Sequence, residues 1–296
     1  MSDLIEALTD PAFPFLRNAV FVGLLASAAF GVLGTFVVAR RITYMADAMA
    51  HCVLGGIGAA VLLRYNYGFS WLHPLWGAWI AALTAALCIG VVSFVVHERE
   101  DTVISLIWVT GVALGLLFLE RAHPPPGEPA VEPLSYLFGD ILLITRDDLR
   151  LVALLDLVVL AAAAAFYNKL TAVCFDEEFA ALRGIPSRAY FLLLLCLTAL
   201  TIVLLVRVVG ILLVVALMTL PAALAGRIAR HLWQMMHLAA VFCAVLVSGG
   251  VLASYHLETR TGPTVVLLAV AAYGAAAVAG AANRRFRRGR GDRGAR

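Results

Sequence analysis

The stretch ADAMAHCVLGGIGAAVLL, Ala46–Leu63, decides the fold. It is apolar almost throughout and long enough to lie across most of a bilayer. Yet it carries Asp47 and His51, whose i,i+4 spacing puts an acid and an imidazole on one face of one helix. A carboxylate at membrane depth costs on the order of 3 kcal/mol unless it is hydrated, paired or bound to metal. The run therefore predicts a membrane helix and singles out two residues on it.

Comparable runs recur on both sides. Of the 296 residues, 62% are hydrophobic and 14% charged, against about 25% charged in an average soluble domain. The mean hydropathy is +0.94, more apolar surface than a soluble core of this length can absorb. The runs do not alternate apolar with polar residues, which excludes a membrane β-barrel. The expectation is an all-α, polytopic transmembrane helical bundle. Its spans fall near 17–39, 47–63, 74–96, 102–120, 149–168, 188–206, 208–226, 237–256 and 263–282. The second is short, so the count is eight or nine. Residues 1–283 form one membrane domain, and 284–296 a basic tail without fixed structure.

Charge orients the spans. Arg40 and Arg41, Lys169, Arg183 and Arg188, Arg227 and Arg230, and the tail cluster at alternate ends of the runs. Placing them all in the cytoplasm fits nine spans with the N-terminus outside. Arg64, Arg121, Arg146, Arg207 and Arg260 depart from that scheme. The proline-rich loop AHPPPGEPAVEP, Ala122–Pro133, then faces outward. The tail holds seven arginines and one aspartate, +6 against a whole-chain net charge of +3, so the body carries −3. A basic segment directly after a span marks the cytoplasmic side and does not call for nucleic acid. The acidic start, MSDLIEALTDPAF, lacks a basic region, so no cleaved signal peptide is expected. Cys52, Cys88, Cys174, Cys196 and Cys243 are scattered without pairing rhythm and read as small buried hydrophobes.

Asp47 and His51 have two readings. One is a hydrogen-bonded pair near the end of a span. The other is half of a site for a divalent ion, since one oxygen and one imidazole nitrogen suit zinc, manganese or iron. Two ligands do not complete a sphere of four or more, but a symmetric homodimer supplies Asp₂His₂. Cys52 points about 100° away around the helix and is a weaker candidate.

CFDEEFAALRGIPSR, Cys174–Arg188, is the one strongly charged amphipathic patch between spans. Asp176, Glu177 and Glu178 crowd the start of a short helix, where its dipole favours acids. Gly184 and Pro186 end it. Phe175, Phe179 and Leu182 share a stripe. The patch is either a solvated loop lying on the membrane or a docking element for a soluble partner. HERED, His97–Asp101, lacks the second histidine of a zinc-protease helix and reads as a charged turn. His73, His123, His231, His237 and His256 are isolated at span ends or in loops.

Lys169 is the single lysine, and Leu170 follows it, so no GxxxxGK[ST] phosphate loop exists in the chain. No GxSxG is present either. If ATP drives transport, another polypeptide hydrolyses it.

RRITYMADAMAHCVLGGIGAAV, Arg40–Val61, resembles the signature of permease subunits of ABC-type zinc, manganese and iron importers. In order along the chain, SYLFGDILLIT (Ser135–Thr145) resembles that family's outer segment. FDEEFAALRGIP resembles its coupling helix, VVGILLVVALMTLPAALA (Val208–Ala225) its proline-ended span, and TGPTVVLLAV (Thr261–Val270) its last span. The resemblance implies a homodimeric permease in a bacterial plasma membrane. It implies two cytoplasmic ATPase subunits docked on Asp176, Glu177, Glu178, Phe179, Leu182, Arg183 and Gly184, and an extracytoplasmic protein that delivers the metal. Asp47 and His51 would meet the passing ion, which is cargo; no permanent cofactor is implied. Zinc is expected first, with manganese or iron as alternatives. Cys52 and Asp140 depart from the family pattern, the first at a place usual for a small residue, the second after Phe-Gly. A proton-coupled metal transporter would leave the 174–188 patch without a job. A non-transporting scaffold or intramembrane enzyme would need a catalytic constellation that the sequence does not offer.

Overall fold

The computed structural model describes residues 14–69, 71–95, 100–125, 133–139 and 146–293. These form twelve α-helices and no strand. They are α1 (Pro14–Arg40), α2 (Thr43–Tyr67), α3 (Pro74–Val95), α4 (Glu100–Arg121), α5 (Pro133–Phe138), α6 (Arg146–Ala165), α7 (Tyr167–Phe175), α8 (Glu177–Leu182), α9 (Ser187–Val209), α10 (Ile211–Ala225), α11 (Leu232–Leu257) and α12 (Thr261–Arg293).

Seven of them, α1–α4, α9, α11 and α12, are long and apolar enough to cross a membrane. Helices α6 and α7 are apolar enough together for an eighth candidate, but they bend by 69° at Phe166, the geometry of a broken span or of a re-entrant loop. The interval expected at 208–226 is α10. Its 15 residues cover about 22 Å at 1.5 Å per residue, short of a hydrocarbon core about 30 Å thick. The interval expected to be short is long instead: α2 runs 25 residues, with Asp47 in its second turn. The arginine-rich segment, expected to lack structure, continues α12 as helix to Arg293. The expected charged turn at His97 and the departure at Asp140 lie outside the described residues.

The most buried of the spans are α1, α2 and α9. Phe30, Leu33 and Phe36 of α1, Met49 and Leu54 of α2, and Leu194, Leu195 and Ile202 of α9 are fully buried. Four buried hydroxyls in this core are satisfied within their own helices. Ser27 donates to the Gly23 carbonyl at 2.6 Å, Thr35 to Gly31 at 2.7 Å, Thr198 to Leu194 at 2.8 Å and Thr201 to Leu197 at 3.0 Å.

Helix α2 lies between α3 and α4 at backbone contact. A Cβ at Gly56 would sit 2.1 Å from the Gly77 carbonyl oxygen of α3, and a Cβ at Gly77 2.1 Å from that of Gly56. On the other side, a Cβ at Gly58 would meet the Gly115 carbonyl of α4 at 2.6 Å. Small-residue seams of this kind let helices approach closely where no hydrophobic force drives them together. A second seat of the same type holds α5. A Cβ at Gly210 would come within 2.4 Å of the Phe138 carbonyl carbon, and one at Gly262 within 2.3 Å of the Phe138 oxygen.

Asp156 on α6 stands apart from this economy. It is 3% exposed, and neither carboxyl oxygen has a hydrogen-bond partner among the described residues.

Three outcomes follow for thermal unfolding in detergent. Gly56→Ala forces backbone against backbone and lowers stability by about 1–3 kcal/mol, whereas Gly274→Ala on α12, with nothing within 4 Å of the added methyl, raises it by up to about 1 kcal/mol. Asp156→Leu removes an unpartnered buried carboxyl and raises the midpoint, by a stability gain of about 1–3 kcal/mol.

Candidate functional site

The corner between α1 and α2 is two residues long. Arg40 ends α1, and Arg41 takes a left-handed backbone (φ 64°) that turns the chain into α2. One turn into α2 stands Asp47, and one turn further His51. Most of α2 is buried, including Met45, Ala46, Ala48, Met49 and Ala50. One stripe stays open: Tyr44, Asp47, His51, Gly55 and Ala59. Both singled-out side chains lie on that stripe, Asp47 31% and His51 13% exposed.

The His51 Nδ1 lies 2.9 Å from the Asp47 carbonyl oxygen and 3.4 Å from its carboxylate. A carbonyl only accepts, so Nδ1 carries the hydrogen and donates it. In the neutral ring this leaves the lone pair on Nε2, the state in which imidazole binds a metal. The His51 ring meets Trp108 of α4 in a T-shaped contact, with centroids 5.2 Å apart and planes at 76°. One turn toward the corner, the Tyr44 hydroxyl pairs with that of Ser105 on α4. Cys52 turns away from the stripe: its thiol donates to the Ile107 carbonyl at 3.5 Å, against the α2–α4 seam.

Among the described residues, no three His, Cys, Asp or Glu side chains come together to hold an ion. The chain by itself offers two donors at this place. His237 bonds the Trp233 carbonyl of its own helix at 2.7 Å, and the other described histidines join no such cluster.

The 174–188 patch folds as α8 and its flanks. Asp176 caps the helix, its carboxylate accepting from the Phe179 amide at 2.9 Å. Gly184, at φ 75°, ends the turn before α9. The apolar stripe faces out: Phe175 is 67%, Phe179 49% and Leu182 87% exposed, with Arg183 stacked over the Phe179 ring. Glu178 lines an open cleft of about 1070 Å³ between α8 and the α1–α2 corner. Glu177 differs from its neighbours. It turns inward to pair with Arg40, and its carbonyl accepts from the Ser187 hydroxyl at 3.1 Å.

The profile of the ABC 3 transport family matches residues 12–279. The chain belongs to the ABC 3 transport family. Relatives over most of its length include a Chlamydia trachomatis protein described as a probable metal transport system membrane protein. That protein is 34% identical over 270 residues, 91% of this chain and 90% of its own. The manganese transport system membrane protein MntC of Halalkalibacterium halodurans is 31% identical, over 87% of this chain and 85% of its own. Among solved structures, PsaBC from Streptococcus pneumoniae in complex with Fab is similar at a TM-score of 0.79 and 28% identity, covering 93% of this chain and 94% of that one. The match fits a multi-pass membrane protein, and the ABC 3 family members named here are membrane components.

Sequence reasoning missed the Arg40–Glu177 pair, which joins residues far apart in the chain. It also missed the α4 half of the seam, although Gly111 and Gly115 stand in GxxxG spacing, a signal for close helix contact. Removing the α8 cap tests the local account. Asp176→Ala costs about 1 kcal/mol, read as faster amide hydrogen exchange confined to 177–183.

Proposed function

We propose that the chain is the permease subunit of an ATP-driven importer that carries a divalent transition metal into the cytoplasm, with manganese as its first cargo. The observation that carries the reading is the placement of Asp47 and His51 on the open stripe of a helix clamped on both sides by glycine seams. A carboxylate oxygen and an imidazole nitrogen are donors that Mn²⁺, Fe²⁺ and Zn²⁺ all accept. Sequence alone put zinc first. The relatives named for metal and manganese transport move manganese ahead of it.

Two copies of the chain complete the shell. Each contributes one Asp47 and one His51, and the four donors meet where the open stripes face each other. A shell assembled across an interface can be opened by moving its halves apart. That suits an ion that must leave again better than a closed structural site does. Driving that motion takes ATP hydrolysis, for which this chain has no phosphate loop. Two cytoplasmic ATPase subunits therefore dock on the exposed face of α8, where Phe179 and Leu182 stand in solvent beside the charges of Glu178 and Arg183. An extracytoplasmic binding protein hands the ion to the opposite face. Alternating access follows: the nucleotide cycle moves α8, and the spans re-open on the other side.

The test is uptake of radioactive manganese by cells lacking their own importer and producing this chain with its partner subunits, with and without excess zinc. Asp47→Ala and His51→Ala each lower uptake by about tenfold or more while the protein still inserts and dimerises. Undiminished uptake by either variant rejects the ligand role. Competition by zinc at concentrations that leave other uptake unaffected, with weak manganese uptake, returns zinc to first place.

A further inference from the structure

Between α8 and the corner leading into α2 lies the open cleft, lined on one side by Arg40, Arg41 and Tyr44 and on the other by Glu177, Glu178 and Arg188. Helix α8 packs chiefly on its chain neighbours α7 and α9. Apolar packing therefore gives it little purchase on α1 or α2. Yet any displacement that α8 receives has to reach α2, because α2 carries Asp47 and His51.

A polar bridge crosses this gap. The Arg40 guanidinium pairs with the Glu177 carboxylate. Both side chains are partly shielded, 23% and 37% exposed. Each end is fixed a second time. Arg40 also lies over the Phe191 ring of α9, 5.5 Å from its centroid. The Glu177 backbone is held by the Ser187 hydroxyl at the start of α9. Guanidinium and carboxylate form a directional, charge-assisted contact, so the pair resists being pulled as well as pushed. On the far side, Arg40 is the last residue of α1, and the strained left-handed Arg41 follows. Asp47 is one turn beyond.

We propose that Arg40 and Glu177 form a strut that transmits displacement of α8 to the α1–α2 corner and so to the metal-facing stripe. Both are positioning residues and neither touches the ion. The inference rests on the reading that α8 receives a cytoplasmic ATPase. Glu177 is then withdrawn from the docking face and assigned to the inner side of the same helix. The strut couples two sites through a contact with a made and a broken state, which is what energetic coupling between distant sites requires.

Charge reversal tests it. Arg40→Glu, Glu177→Arg and the double variant are purified with the ATPase subunits, reconstituted in lipid vesicles with the delivery protein, and assayed for Mn²⁺ uptake and ATP hydrolysis in parallel. Each single reversal is expected to lower Mn²⁺ moved per ATP hydrolysed by about fivefold or more, with the ATPase still bound. The double reversal, which re-forms the pair with its charges exchanged, is expected to bring the ratio back to within about twofold of wild type. The rescue separates a strut from a folding defect. Singles that transport normally, a double variant no better than the singles, or loss of the bound ATPase from Glu177→Arg would each overturn the strut. If the wild-type chain holds no ATPase and moves no Mn²⁺, the underlying functional reading fails and the strut with it.

Discussion

Backbone meets backbone on both faces of α2, and the rest of the molecule follows from that constraint. Lipid offers helices no hydrophobic reason to associate, so contact has to come from shape. Gly56 against Gly77, and Gly58 against Gly115, remove the side chains that would hold α2 away from α3 and α4. The helix is thereby set in depth and rotation. Its burial is nearly complete except along one stripe, and that stripe is where the acid and the imidazole stand. The polar pair is tolerated because the packing that surrounds it leaves an opening in its direction.

The same logic separates the two kinds of polar group in the bundle. Ser27, Thr35, Thr198 and Thr201 disappear into the core because each hydroxyl reaches a carbonyl four residues back in its own helix. They are structural and self-contained. Asp47 and His51 differ: the imidazole too bonds a carbonyl four residues back through Nδ1, but the neutral ring keeps a lone pair on Nε2. Across the cleft, Arg40 and Glu177 satisfy one another between elements that otherwise touch little.

How much of this was legible in the sequence depends on the range of the signal. Apolar runs are local, so each of the nine expected intervals falls mostly on helix, though 149–168 crosses the break at Phe166 and 208–226 the break at Gly210; the acid–imidazole spacing does bring Asp47 and His51 to one face. The amphipathic patch around Asp176 announced its own cap and its own end. Lengths were less legible, because hydropathy does not record where a helix breaks. The Tyr167 helix departs from α6 at 69°, and the helix that contains Pro221 is 15 residues long. The second interval, 47–63, reads as short with its Asp/His pair, although the helix extends past both of its ends, from Thr43 to Tyr67. Pairings between distant residues left no trace. Nothing in GlyGlyIleGly at 55–58 names Gly77 or Gly115 as its counterpart, and nothing in the acids at the start of α8 distinguishes Glu177, which pairs with Arg40, from Glu178.

The short helix α5 carries one more consequence. Phe138 is seated against the glycine that breaks the chain between α9 and α10 and against the second residue of α12. Two segments far apart in the chain are thus moulded around the main chain of a third, with no side chain as intermediary. Such a joint is blind to the chemistry of the Leu-Phe pair it grips, but it is intolerant of bulk at 210 or 262. This end of the bundle is in this sense keyed from within, and a defect there would be inherited through residues that carry no functional group at all.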